Sequence, residues 1–232
     1  MVGDELALSK IGIITFHSAY NYGSVLQAFA TQTFIKKLGS ENEIINYRLD
    51  EQRRVYSNLR FNYGYKEFIK DLSLLPIYGR RNIRKEKFET FLFENIDASD
   101  ICRTPEDVRK IWDKYPTIIS GSDQIWNKHS LELEHIDWNF MDPYLLKGYH
   151  GKKISYASSI ANMNDWEIKR ILPEINDFAL LSMREETSAK KVSNYLKRNV
   201  ISVLDPTFLL TKEEWIQTLH LNRDNKKFIL FY

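Results

Sequence analysis

Apolar residues are spaced in two ways along this chain. Lys10–Phe16, KIGIITF, is a short β-branched run of the kind that forms a buried strand. A polar, turn-forming HSAYNYG follows, and from Ser24 the period changes. Leu26, Ala30, Phe34 and Leu38 recur every four residues, with Val25, Phe29 and Ile35 widening the stripe. This spacing predicts an amphipathic helix with a broad buried face. Ser24 is its expected cap and Gly39 its expected end, with Lys36 and Lys37 in the last turn, where the helix dipole favours cations. Glu43–Asp50, EIINYRLD, reads as the next strand. Strand, helix, strand at this spacing makes a βαβ unit with a parallel sheet.

The alternation continues. In residues 51–100 the stretches YKEFIKDLSLL and RKEKFETFLFE have helical periodicity and flank Pro76 and Gly79, which are expected to break them. A helical insertion is therefore expected there. Thr104-Pro105-Glu106-Asp107 supplies a cap, a proline at the first helical position and first-turn carboxylates, for a helix to about Tyr115. Pro116–Gly121 reads as a strand meeting a tight turn, and Lys152–Ile160 as another strand. A short helix from Trp166, a strand around Phe178–Ser182, a helix over Glu185–Leu196 and a strand over Val200–Leu204 ended by Asp205-Pro206 complete the series. The fold class is α/β, with a Rossmann-like open parallel sheet. Thr211–Glu214 is a capping box for a helix to about Leu219, and Phe228–Tyr232 has a strand signature. The expected organisation is a flexible N-terminus over 1–9, a Rossmann-like domain over 10–210 with its helical insertion near 51–100, and a linker helix plus the first strand of a truncated second domain over 211–232.

Composition narrows the function classes. The 232 residues carry 33 Lys and Arg against 31 Asp and Glu, a formal net charge of +2, so charge alone does not point to nucleic acid. A local excess at Arg80, Arg81, Arg84, Lys85 and Lys87 reads as a solvated helix face, with a surface for an anionic carrier or a membrane as the alternative. A lone cysteine, Cys102, excludes an internal disulfide framework. The N-terminus has no signal-peptide h-region and no run is long enough to span a membrane, so a cytoplasmic location is expected, with peripheral membrane contact left open. His129 and His135, among Glu132, Glu134 and Asp137, lack metal-ligand spacing, and no metal is expected.

In open α/β sheets ligands bind beyond the C-terminal ends of the strands. Four polar clusters fall at such ends: His17–Ser24, Ser120–Asn127, Ser158–Asn162 and Arg184–Glu185. In the first, Gly23 permits close backbone approach and the N–H groups near Ser24 could receive an anion. His17 is a candidate proton donor or anion holder, or a structural histidine. Asn21, Tyr22 and Gln27 are candidate contacts from the same turn and helix. In the second cluster Asp123 could take a proton from a sugar hydroxyl, anchor a hydroxyl pair, or cap the turn. Ser122, Gln124 and Asn127 suit a polyol, and Trp126 is either a stacking platform or a core indole. Ser158 joins them from the third cluster. Arg184 offers a fork for carboxylate or phosphate, or pairs with Glu185 at a helix start.

The stretches IGIITFHSAYNYGSVLQAFA, ISGSDQIWN, ISYASSI, SMREE and VLDPTFLL resemble, in order, the polysaccharide pyruvyl transferase family over roughly residues 10–210. The combination of NYGSVLQ with SDQIWN is hard to reach by chance. The tail, KEEWIQ then KKFILFY, resembles the crossing into that family's second domain. The resemblance implies the N-terminal half of a GT-B two-domain fold. It also implies transfer of an enolpyruvyl group from phosphoenolpyruvate, as donor substrate and with no further cofactor, to two hydroxyls of a sugar or glycan acceptor, which can be carrier-linked. It places this activity in exopolysaccharide biosynthesis for the cell envelope. Asp123 is then the expected base or acceptor anchor and His17 the weaker acid candidate, with Asn21–Ser24 and Arg184 as contacts. The donor-binding arginine and histidine residues are expected largely in the missing C-terminal domain, so the fragment is expected to be inactive alone. A GT-B glycosyltransferase and a noncatalytic α/β binding domain are the alternatives.

Overall fold

The computed structural model describes residues 10–50, 52 and 78–222. The expected helix over YKEFIKDLSLL, the terminal strand over Phe228–Tyr232 and the N-terminal segment 1–9 lie outside the described residues.

A four-stranded parallel sheet forms the centre. Its strands are β1 (Ile11–Ile14), β2 (Asn42–Ile44), β3 (Thr117–Ser120) and β4 (Lys152–Ser155), in the order β2-β1-β3-β4. Register pairs Ile11 with both Asn42 and Thr117, and Thr117 with Lys152. A second parallel pair, β5 (Ser182–Met183) and β6 (Ile201–Ser202), continues the same layer through bridges from Ile154 to Leu180 and from Ser158 to Met183. On the opposite edge, bridges from Ile44 to Ala98 and from Tyr47 to Cys102 bring the 97–102 segment alongside β2. The spatial sequence is thus the 97–102 segment, β2, β1, β3, β4, β5, β6. That is the order of a doubly wound sheet, with its reversal at the β1–β3 boundary. The chain is α/β with parallel, Rossmann-like sheet topology.

Helix α1 (Tyr22–Lys37) leaves β1, and its end matches the expectation. Leu38 caps it and Gly39 adopts φ +83, a left-handed conformation in which a side chain would be strained. Its start differs. Asn21, not Ser24, is the N-cap, because an extended Asn21 accepts from the Gly23 N–H through its own side chain. Ser24 is thereby placed one turn inside the helix and its hydroxyl is released for a partner elsewhere.

Within the stretch 51–100, the described residues hold one helix, α2 (Tyr78–Asn95). Gly79 does not break it. It lies in the first turn, where nothing within 4 Å would meet a Cβ and no upstream turn of that helix has to be continued. Helix α3 (Pro105–Ile111) has the expected Thr104 cap with proline at N1, completed by Asp107 into a capping box, and passes into a 3-10 turn, Trp112–Lys114. Helix α4 (Asp165–Asn176) is capped by Asn164 and runs twelve residues. Phe178 therefore falls at that helix's exit, not at a strand start, and the strand is confined to Ser182–Met183. Helix α5 (Glu186–Leu196) and helix α6 (Lys212–Thr218), with its Thr211–Glu214 capping box, fall where the pattern placed them. Trp215 of α6 stacks on Phe29 of α1 at 5.5 Å, with Leu210 buried beside it.

The main core lies on one side of the sheet and gathers Ile14, Ile118, Trp126, Tyr144, Ile168 and Val192 with their neighbours. Each fully buried large apolar side chain contributes about 1.5–3 kcal/mol, so this cluster supplies the rigidity on which the strand-end loops are mounted.

Candidate active site at the sheet reversal

The chain leaves β1 for β2 on one side and later returns to β3 on the other. The loops after β1 and β3 meet here, with Thr15 donating to the Ser122 carbonyl at 2.9 Å and Ser24 to Asp123 at 2.5 Å, at the reversal where open α/β sheets bind ligands. Asp123 stands in the second of these loops at φ +77, uncommon for a residue with a side chain. The loop is held on both flanks. The Ser159 N–H donates to the Asp123 carbonyl at 3.0 Å, and Gly121 occupies φ +132, where an added Cβ would lie 2.1 Å from the Tyr156 carbonyl oxygen. Gly121 is therefore required at that position.

The Asp123 carboxylate reaches three elements. Its Oδ2 accepts from Ser24 Oγ of α1 at 2.5 Å and its Oδ1 from the Gln124 N–H at 2.8 Å. Arg184 Nη1, beyond β5, stands 3.9 Å from Oδ1. Arg184 also donates through Nε to Glu185 at 3.0 Å and lies 3.5 Å from Asp205 Oδ2, beyond β6. Burial opposes the Arg184 charge, but the Glu185 bond and the charges of Asp123 and Asp205 outweigh it and raise its pKa. The guanidinium stays charged and ties together the loops after β3, β5 and β6.

Beneath this rim is a neutral, fully bonded layer. Gln27 donates to Thr15 Oγ1 at 2.8 Å and to the Ser24 carbonyl at 2.9 Å, and it accepts from the Ser122 N–H at 3.2 Å. Thr15 donates to the Ser122 carbonyl at 2.9 Å, and Ser122 Oγ to the Ala157 carbonyl at 3.1 Å. Ser158 Oγ donates to the Ser120 carbonyl at 2.9 Å. Gln27, Ser122 and Ser158 are all buried, so their polar atoms serve the loop and not a ligand.

His17 belongs to the same buried layer. Its Nε2 meets Asn46 Oδ1 at 2.9 Å and its Nδ1 the Thr15 carbonyl at 3.3 Å. Burial, then the Arg48 charge, push its pKa down to about 4, against the opposing Asn46 bond. The ring is neutral near pH 7 and buried between two acceptors, to one of which its single N–H donates, which favours the structural histidine over an acid at this position. Trp126 is likewise a core residue: it is fully buried, its Nε1 donates to the Tyr144 carbonyl at 2.9 Å, and Phe178 meets it edge-on at 5.5 Å. Its ring presents no face to a sugar. Asn127 is buried and bonded to Gln124 at 2.8 Å, while Gln124 itself stays partly exposed.

Asn21, Tyr22 and Gly23 are exposed at the α1 start, but the Gly23 N–H is already taken by Asn21. The structure brings together Ser24, Asp123, Gln124, Arg184 and Glu185, with Asn21–Gly23 one turn away. Pattern reading missed Asp205. Its signal was the same as for the others, a polar residue at a strand end, but the following proline made it read as a turn. Its Oδ1 does accept from Thr207, while its Oδ2 is directed to Arg184. Among the described residues no group of three or more His, Cys, Asp or Glu side chains is arranged to hold a metal ion. His129 pairs with Glu167 at 2.9 Å and His135 with Glu134 at 3.0 Å.

A family model described as polysaccharide pyruvyl transferase matches residues 21–232. The chain belongs to the polysaccharide pyruvyl transferase family. The match contains Ser24, Asp123, Arg184 and Asp205, and begins after β1 and His17. No curated protein and no solved structure matches the chain. Family membership makes this a pyruvyl transferase, and its described part holds one polar rim at the sheet reversal. No helix among the described residues is long and apolar enough to cross a membrane.

Proposed function

We propose that this rim holds the sugar acceptor of a ketal-forming pyruvyl transferase, with phosphoenolpyruvate as donor. The observation that carries it is the Asp123 carboxylate. It is held off the usual backbone conformation, bonded to Ser24 at 2.5 Å, and within 3.9 Å of a permanently charged arginine. A carboxylate so fixed can accept a proton from a hydroxyl and align it, which is the work the acceptor side of this reaction needs.

The chemistry balances without a redox partner. A proton adds to the methylene carbon of the donor, and an acceptor oxygen bonds to its C2. The phosphate leaves with the electrons of its C–O bond, and the second hydroxyl closes the ketal. Of the two hydroxyl protons, one is matched by the new methyl group and the other by the released phosphate. Asp123 acts as the base for the first hydroxyl. Ser24 and Gln124 hold the carboxylate by hydrogen bonds, and Arg184 stands 3.9 Å from its Oδ1. Asp205 and Glu185 hold Arg184. Gln27, Thr15, Ser122 and Ser158 form the floor. His17 does not supply the acid, so that group and the donor's anion-binding cations come from outside this rim. This suits a GT-B arrangement in which a second domain faces the rim.

The test is phosphate release from phosphoenolpyruvate by the intact enzyme. Release dependent on a glycan with vicinal or 1,3-related hydroxyls, and abolished in Asp123→Asn, is expected. Turnover of a nucleotide sugar with no use of phosphoenolpyruvate would replace this function with glycosyl transfer.

A further inference from the structure

Closing a ketal takes a proton from each of two hydroxyls, and Asp123 accounts for one. Three carboxylates surround Arg184, and their oxygens are not equally engaged. Asp205 uses Oδ1 on the Thr207 N–H and hydroxyl and directs Oδ2 to Arg184. Glu185 accepts from Arg184 Nε through Oε1 at 3.0 Å, while its Oε2 is shielded from water and has no hydrogen-bond partner. A shielded acceptor without a donor is rare, because it has given up water and gained nothing in return. Five described residues carry such a side-chain atom, and of these only Glu185 bonds Arg184.

Local structure does not use this oxygen either. Glu185 is the N-cap of α5, yet its side chain makes no capping bond, whereas Asn21, Thr104, Asn164 and Thr211 all cap their helices through their side chains. The same guanidinium ties Glu185 to Asp123, whose Oδ1 is 3.9 Å from Nη1. Nε and Nη1 share one carbon, so the two carboxylates approach within about 9 Å of each other. Two neighbouring sugar hydroxyls, each bonded outward to a carboxylate, span about 8 Å. The Glu185 side chain is 35% exposed, so a change of rotamer is enough to present Oε2 to a ligand lying over Arg184.

We propose that Glu185 is the second base of the reaction: its Oε2 accepts the proton of the hydroxyl that closes the ketal. The inference rests on the acceptor role assigned to the Asp123 rim. Once phosphate has left, C2 of the transferred group is electron-poor. A lone pair of the second hydroxyl oxygen forms the new C–O bond, and the O–H electrons stay on that oxygen. The proton passes to Oε2 and from there to the released phosphate. Oε1 keeps its bond to Arg184 throughout, so the carboxylate stays at the rim.

Phosphate, pyruvate and ketal are measured together for the intact enzyme. The substrates are phosphoenolpyruvate and the 4-nitrophenyl glycosides of glucose, galactose and mannose, which carry vicinal and 1,3-related hydroxyls. Wild type is expected to release one phosphate per ketal. In Glu185→Gln the amide oxygen keeps the Arg184 bond but takes no proton, and ketal formation is expected to fall about 100-fold. Phosphate release should fall less, with the excess matched by pyruvate. Water then adds to C2 in place of the second hydroxyl, and the hemiketal collapses to pyruvate and free sugar. Asp205→Asn loosens Arg184 and spares Glu185, so it should be slower at one phosphate per ketal. The ratio does not depend on the amount of folded enzyme, so partial unfolding leaves it readable. A ratio of one in Glu185→Gln, or the same excess of pyruvate in Asp205→Asn, overturns the proposal and leaves the role of Asp123 standing. Wild-type phosphate release by Asp123→Asn, or none by wild type with any of the three sugars, overturns the acceptor reading and this inference with it.

Discussion

Two groups of polar residues sit at the strand ends, one above the other, and they behave oppositely. The upper group, Asp123, Arg184, Glu185 and Asp205, is charged, partly exposed and loosely paired, with contacts from 3.0 to 3.9 Å around the guanidinium. The lower group, Thr15, His17, Gln27, Asn46, Ser122 and Ser158, is neutral and buried. Its described bonds run from 2.8 to 3.3 Å. A buried polar group without a partner costs about 1–3 kcal/mol, so every member of the lower layer is tied to a neighbour. The upper layer has water as its alternative partner and can exchange it for a substrate hydroxyl. The difference teaches that polar residue type at a strand end marks the neighbourhood of a site, while burial decides which residues can meet a ligand.

The sharpest way to break this comparison is Asp123→Asn in the intact enzyme. The amide keeps the shape but not the basicity. A fall in kcat of about 100- to 1,000-fold is expected from loss of a positioned base, with the melting temperature little changed. An equal loss of stability would move Asp123 into the lower group. Gly121→Ala is next. A Cβ 2.1 Å from the Tyr156 carbonyl, at φ +132, forces the loop to shift. The expected cost is about 3 kcal/mol, read from urea unfolding, with activity lost in parallel.

Acid should act on the lower group through His17. Its pKa falls from an ordinary 6.5 to about 4 in the folded chain. Between those values the unfolded state binds more protons, so stability is fully present above pH 6.5 and declines as pH falls toward 4. The decline attributable to this group reaches about 3 kcal/mol. Melting temperatures from pH 7 to 4.5 should fall less steeply in His17→Gln. An unchanged slope would mean the ring is not held neutral. The smallest effect is expected for Trp126→Phe, which removes the indole bond to the Tyr144 carbonyl while keeping most of the apolar volume. It should cost about 1–2 kcal/mol in unfolding and leave acceptor KM unchanged. A raised KM would return Trp126 to the rim.

Much of this molecule could be read along the chain. The β1–α1–β2 order, the Thr104 cap with its N1 proline, the Thr211 capping box and the Gly39 helix end depend on neighbours within a few residues, and they appear as expected. The α1 start did not. Both Asn21 and Ser24 can cap, and local sequence cannot choose between them. The choice is made by Asp123, 99 positions from Ser24, which claims the serine hydroxyl. The strand expected at Phe178–Ser182 also shifted, because Phe178 packs on Trp126 at the exit of α4.

The sequence by itself determined the α/β class, the parallel alternation and the set of loops in which chemistry could lie, because periodicity, capping and glycine conformations are short-range properties. It also carried the family motifs. Only the tertiary structure decided which members of that set are open. Whether His17 is a proton donor or a neutral strut, and whether Trp126 is a platform or a core filler, depends on burial by residues far along the chain. The pairing of Arg184 with Asp123 and Asp205 depends on strand order. Those are long-range facts. A residue's own type and near neighbours do not contain them, since desolvation and charge pairing are set by whatever the fold brings within a few ångströms.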